Sequence, residues 1–259
     1  LVFAACTLYY THAYIAEAPV KSGNKRAEWY RDNRSFVRAS QVMLTCIVAA
    51  CILILLFRSG SHIIQATVWQ WLATAIFPVT GALYYGSVAP GKSTHNLRNN
   101  GWLKPFVIGF VWAGTVTVYP VLFKSIESGE PYNPGIFNLL LFIKNLMYIT
   151  MLCIMFDFKD YAADHNQQLK TFVVRIGLRR TLFFIIIPLT IIGLGTFLSF
   201  AVFSRFPAGR IAVNTIPFIL LIFVTLSMQR RKSILYYLAI IDGLMLVKAL
   251  CGIAGMLLW

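Results

Sequence analysis

Seven stretches of this chain stay predominantly apolar for about 20 residues or more, the length a helix needs to cross a bilayer. They lie at approximately 37 to 57, 62 to 86, 102 to 124, 133 to 156, 181 to 204, 210 to 229 and 233 to 259. A soluble domain of 259 residues could not bury so many continuous runs in one core. Within a bilayer each run satisfies its own backbone as a helix, so the expected fold is an all-α membrane protein. An eighth run, Leu1 to about Ile15, opens directly on apolar residues and is too short to cross. The sequence reading is therefore eight spans, the first truncated, with a further N-terminal helix expected to bring the native total to nine. No repeat, linker or low-complexity segment divides the chain, and a single domain over 1–259 is expected.

Composition agrees: 58% of residues are hydrophobic, 12% are charged and the mean hydropathy is +0.71. The formal net charge of +14 would suggest nucleic acid in a soluble protein. In a membrane protein Lys and Arg instead collect in cytoplasmic loops, so nucleic-acid binding is not expected. Of the 23 Lys and Arg, 17 fall on one side when loops are assigned alternately, and only Arg58, Lys124, Arg205 and Arg210 on the other. The longer loops, 16 to 36, 87 to 101 and 157 to 180, thereby become cytoplasmic. The expected location is a multi-pass position in a bacterial inner membrane.

Cys6, Cys46, Cys51, Cys153 and Cys251 lie in apolar stretches without a CxxC pair and read as small core residues. His12, His62, His95 and His165 lack the paired helical spacing of a zinc or haem site. Lys144, Lys248 and Asp242 are the charges left within spans. Lys144 and Asp242 fall at depths of about 18 and 15 Å from the cytoplasmic helix ends. An intramembrane charge needs a partner or a wet cavity, and both are expected to face a central cavity.

Three of the nine carboxylates, Asp157, Asp160 and Asp164, fall within eight residues at the cytoplasmic end of the 133 to 156 run. If the helix continues, offsets of three and seven residues place them within about 60° on one face. Hard oxygen ligands that crowd together in this way suit Mg²⁺, which combines carboxylates with phosphate oxygens and water. Lys170 and Arg175 follow closely, and acid for magnesium beside cations for phosphate is the pairing a diphosphate needs.

The pattern resembles the UbiA superfamily of intramembrane prenyltransferases. That family's second aspartate motif, D-x-x-D-x-x-x-D, is followed by K-T, a short apolar run and R-x-G. Asp157, Asp160, Asp164, Lys170, Thr171, Arg175 and Gly177 occupy those positions. The family has nine helices with acidic motifs after the second and sixth, so one missing helix would make Leu1 to Ile15 the second and 133 to 156 the sixth. Its first motif, N-x-x-x-D-x-x-x-D, should then fall near Tyr9 to Glu17, where the spacing is absent. His12 could replace the Asn and Glu17 could supply one carboxylate. Lys21, Lys25 and Arg26 could add charge toward a diphosphate.

The resemblance implies magnesium-dependent transfer of an isoprenyl group from a prenyl diphosphate to a hydrophobic aromatic or lipid acceptor. Asp157, Asp160 and Asp164 would hold the metal, and Lys170, Arg175, Lys25 and Arg26 the diphosphate. It also makes the sixth and ninth helices poor neighbours, so Lys144 and Asp242 are not expected to pair. The degenerate first motif leaves a rival reading, a noncatalytic relative that binds an isoprenoid or pigment or serves as a structural subunit of a membrane complex. A transporter is a third.

Overall fold

The computed structural model describes residues 1–16, 25–85, 101–166, 170–230 and 232–258, with the side chains at 10, 13–16, 25–28, 85, 162–164 and 234 outside that description. Among the described residues there are helices and connections and no strand. The helices are α1 (Val2–Ala16), α2 (Lys25–Asp32), α3 (Arg34–Ile64), α4 (Val68–Tyr85), α5 (Lys104–Ser128), α6 (Ile136–Asn166), α7 (Phe172–Ile176), α8 (Leu178–Phe203), α9 (Ala208–Ser227) and α10 (Tyr237–Leu257).

Six of them carry a segment long and apolar enough to cross a membrane: α3, α5, α6, α8, α9 and α10. Their outer faces remain apolar, with Phe57, Phe184, Phe203 and Leu257 each at least 75% exposed. Exposed apolar surface of that extent is what lipid covers, and an all-α membrane protein is the architecture. α4 and α1 do not join the six. In α4 the polar Trp, Gln and Tyr near its ends dilute an 18-residue helix, and α1 has 15 residues.

The run expected to end at 57 continues as helix to Ile64, through a kink at Ser59 (φ −127°, ψ 18°). A Ser-Gly pair is a common place for such a break, because Gly60 adds no side chain to hold the turn. The interruption read as a loop is thus a bend within α3.

Packing resolves into two units, Leu1–Ala73 with Pro120–Asn133, and Thr74–Tyr119 with Pro134–Trp259. In the first, α1 packs on α3, and the Gln41 amide donates to the Thr11 hydroxyl across the contact. Its other anchor is the start of α4. Thr67 and Gln70 form a capping box: Gln70 Oε1 accepts from the Thr67 backbone N–H at 2.7 Å, and the Thr67 hydroxyl accepts from the Gln70 N–H at 3.4 Å. The buried Gln70 amide also donates to Ser125 Oγ at 3.0 Å, and Ser125 donates to the Glu130 carbonyl at 2.7 Å. Replacing Gln70 by Leu leaves Thr67 N–H and Ser125 short of a partner. It is expected to lower stability by about 1–3 kcal/mol, read by thermal unfolding in detergent.

In the second unit α5 packs closely on α6. Gly109 permits the approach, since a Cβ there would lie 2.4 Å from Thr150 Oγ1. Three π-helical segments, Gly114–Val118, Leu182–Ile186 and Tyr237–Ile241, interrupt α5, α8 and the start of α10. Each re-aims the side chains beyond it by adding a residue to one turn. α6 forms the centre of the core, with Tyr148, Met151 and Met155 buried against residues including Ile186, Phe218 and Ile241. The expectation that the sixth and ninth helices are poor neighbours is corrected here. Tyr148 of α6 donates to the Leu244 carbonyl of α10 at 3.3 Å, so the two helices meet directly and run antiparallel. The cysteines are free but not core: Cys46 is exposed and the other four are partly exposed.

Candidate functional site

α6 continues unbroken through the acidic stretch to Asn166, which meets the condition for Asp157, Asp160 and Asp164 to share a helical face. Their surroundings nevertheless differ. Asp157 sits between buried Met155 and Phe158, with 1% of its side chain exposed. A carboxylate so placed needs compensation, because removing a charge from water costs several kcal/mol. Lys104 Nζ supplies it, donating to Asp157 Oδ1 at 2.9 Å. Lys104 opens α5 immediately before Pro105, which fits the first turn because it has no N–H to satisfy. Asp160, 41% exposed, instead pairs with its neighbour Lys159 at 3.0 Å.

One turn before Asp157, Cys153 lies within electrostatic reach of Asp157, Lys104 and Asp242. Three helices, α5, α6 and α10, therefore contribute one charge each around that position. Asp242 is exposed. Sequence reasoning missed Lys104 and Asp242 as members of this group. In the sequence Lys104 is one more cation flanking an apolar run, and no motif marks Asp242.

The segment after α6 is held against α5. Thr171 is buried and caps α7, its hydroxyl accepting from Val174 N–H at 3.3 Å. A Cβ on Gly101 would lie 2.9 Å from Thr171 N, so glycine allows the two backbones to touch. The Phe172 ring packs on Trp102 at 5.6 Å and Phe106 at 5.9 Å. Gly177, at φ +94°, makes the turn into α8 in a conformation that L side chains rarely adopt. This anchorage leaves Lys170 and Arg175 exposed on either side of Thr171. Two free-facing cations on a fixed turn can meet an anion approaching from outside, at the same end of α6 as Asp157 and Asp160.

A second polar group lies farther back along α6. Lys248 of α10 donates to Asn145 Oδ1 at 2.6 Å and rests 4.3 Å from the Tyr148 ring centre. Asn145 donates from its other end to Thr117 Oγ1 at 2.8 Å. Lys144 stands 5.0 Å from the Phe197 ring centre. Asn145 therefore bridges the π segment of α5 to α10.

Among the described residues, no three His, Cys, Asp or Glu side chains are grouped closely enough to hold a metal ion. The Asp164, Lys25 and Arg26 side chains, and Glu17 and Lys21 altogether, lie outside the described residues, so the full acidic triplet and the first-loop cations are not placed. The Asp157 and Asp160 carboxylates are the hard oxygen donors that Mg²⁺ takes, with Asp157 engaged by Lys104. Comparison with family models, with curated proteins and with solved structures finds no match.

Proposed function

We propose that this chain is a UbiA-like prenyltransferase, moving an isoprenyl group from a prenyl diphosphate to a hydrophobic aromatic or lipid acceptor within the membrane. The single observation that carries the reading is the end of α6. There a buried Asp157 paired with Lys104 is followed, on the same helix, by Asp160 and then by an anchored turn presenting Lys170 and Arg175. In this reading Asp157, Asp160 and Asp164 hold Mg²⁺, and Lys170 and Arg175, with Lys25 and Arg26, counter the diphosphate charge. Magnesium would supply charge stabilisation to the departing diphosphate as the allylic C–O bond breaks. The acceptor then forms the new bond to the prenyl carbon and gives up a proton. The apolar interior would exclude the water that otherwise captures the cation.

The proposal includes eight spans in this chain, with the acidic motif facing the cytoplasm of a bacterium. Labelling tests the orientation. Ser93→Cys and His165→Cys variants in intact cells are expected to react from the same, cytoplasmic side, and labelling from opposite sides would end both topology and family reading.

Catalysis is tested by magnesium-dependent diphosphate release from prenyl diphosphates by the purified chain. Asp160→Asn and Asp164→Asn are expected to reduce release by about 100-fold or more, corresponding to loss of charge stabilisation in the transition state. Unchanged release in both variants would reduce the acidic stretch to a solvated helix end.

The Lys104 pair favours a second reading. A lysine already bonded to Asp157 competes with metal for that carboxylate. A noncatalytic relative that binds an isoprenoid or pigment, or joins a membrane complex, would retain such a pair without cost to turnover. Magnesium-dependent binding of a nonhydrolysable prenyl diphosphate without any product from the reactive one would select it.

A further inference from the structure

The two lysines behind the Asp157 cluster are unexplained by prenyl transfer. We propose that Lys144 and Lys248 form a separate binding site, within the membrane span, for the carboxylate of a membrane-borne acid.

The lysines come from antiparallel neighbours: Lys248 Nζ lies over the Tyr148 ring, and Tyr148 stands one helical turn from Lys144 on the same side of α6. Among the described residues neither pairs with a carboxylate. Their surroundings supply only partial compensation. Lys248 has one hydrogen bond, to Asn145, and an aromatic face, Tyr148. Lys144 has the Phe197 face. An ammonium carries three donors, so each retains unused hydrogen-bonding capacity. Aromatic faces attract cations but cannot neutralise two of them side by side. Charged groups inside a membrane are expensive and persist where they face one another's counter-ions, a pathway or a ligand. The missing element is therefore one anion between two cations.

Depth selects its chemistry. Lys144 lies eight residues into α6, about 12 Å along the helix axis from its start. A phosphate remains hydrated and stays near the interface, whereas a carboxylic acid enters the apolar layer neutral and ionises between the ammonium groups. The Tyr148 and Phe197 rings offer apolar surface to the remainder of such a molecule. Asn145, fixed by Thr117, holds Lys248 in place for it.

The site stands apart from the proposed transfer reaction. Asp157 is thirteen residues farther along α6, about 20 Å away along the axis. A small acid held by the lysines could not present its reacting atom to a diphosphate there. Two sources share the required chemistry, a long-chain fatty acid and an alkylated aromatic acid.

The test is saturable binding of radiolabelled lauric acid and 4-octylbenzoic acid to the purified full chain in a neutral detergent, with methyl laurate as the uncharged competitor. At least one acid is expected to bind, and methyl laurate to compete at least about tenfold less well. A tenfold preference for either acid identifies the source. Lys144→Met and Lys248→Met are each expected to weaken binding about tenfold, while Lys248→Arg, which retains the charge, keeps it within a few-fold. Melting of each variant without ligand checks folding. Lys144→Met is expected to melt no lower than wild type, since an ammonium without a hydrogen-bond partner among the described residues has been replaced by an apolar chain of similar length, whereas Lys248→Met, which leaves Asn145 Oδ1 without its donor, is expected to melt a few degrees lower while remaining folded. Equal competition by the methyl ester, wild-type affinity in the double methionine variant, or no saturable binding of either acid would each overturn the proposal.

Discussion

Asp157→Asn is expected to destabilise the protein by about 2–4 kcal/mol, and Asp157→Leu combined with Lys104→Met to restore most of the loss. The carboxylate is 1% exposed and accepts from Lys104 at 2.9 Å. Asparagine keeps the shape and removes the charge, so the lysine faces a neutral amide in a nearly dry place. Lys104 is itself 28% exposed, which lets water relieve part of the penalty and keeps the figure below that of a fully enclosed pair. Removing both charges eliminates the desolvation cost along with the attraction, hence the recovery. Asp160→Asn is the control: its exposed pair with Lys159 is expected to contribute less than about 1 kcal/mol. Denaturant unfolding of wild type and the three variants in detergent reads all of this. A double variant no more stable than Asp157→Asn would show that Asp157 supports the fold by something other than the Lys104 pair.

That contrast between neighbouring aspartates also marks where sequence reading stops. Helical periodicity gives the angle of a side chain about its own axis, so the shared face of Asp157 and Asp160 was legible once the helix was assumed to continue. It says nothing of which neighbouring helix covers that face and how far along. α5 covers Asp157 and leaves Asp160 exposed. Lys104 was visible only as part of a charge imbalance, because the positive-inside tendency treats every flanking cation alike. The apolar runs of α5, α6, α8, α9 and α10 were readable for a simpler reason: length and hydropathy are properties of the run itself. The bend at Ser59 was not, since Ser and Gly beside Arg58 look the same at a helix kink as in a short loop. Pairing of α6 with α10 was also beyond reach, depending on the contacts of Tyr148 and Lys248 rather than on any pattern in either helix.

The second large effect is expected at a residue that carries no charge. Gly114 begins the π segment of α5, and a Cβ there would lie 1.9 Å from Cε1 and 2.2 Å from Cδ1 of Phe77. One of the two must move. The Phe77 ring is 4% exposed and is flanked by Phe110 at 5.1 Å, Tyr119 at 5.5 Å and Phe142 at 6.5 Å. Tyr119 is itself tied to the Thr74 carbonyl at 2.7 Å, so the cluster offers little room for the ring to swing away. Overpacking of this kind costs about 3 kcal/mol, against which alanine regains about 1 kcal/mol of helix propensity. Gly114→Ala is thus expected to lower stability by about 2 kcal/mol. Phe77→Leu alone should also destabilise, by about 1–2 kcal/mol, through lost packing. In the double variant the smaller leucine makes space for the methyl, and the two losses are expected to fall short of adding by about 1 kcal/mol or more. Strict additivity in thermal unfolding would mean that Phe77 can leave its place freely, and that Gly114 is required for the π turn itself rather than for the ring packed against it.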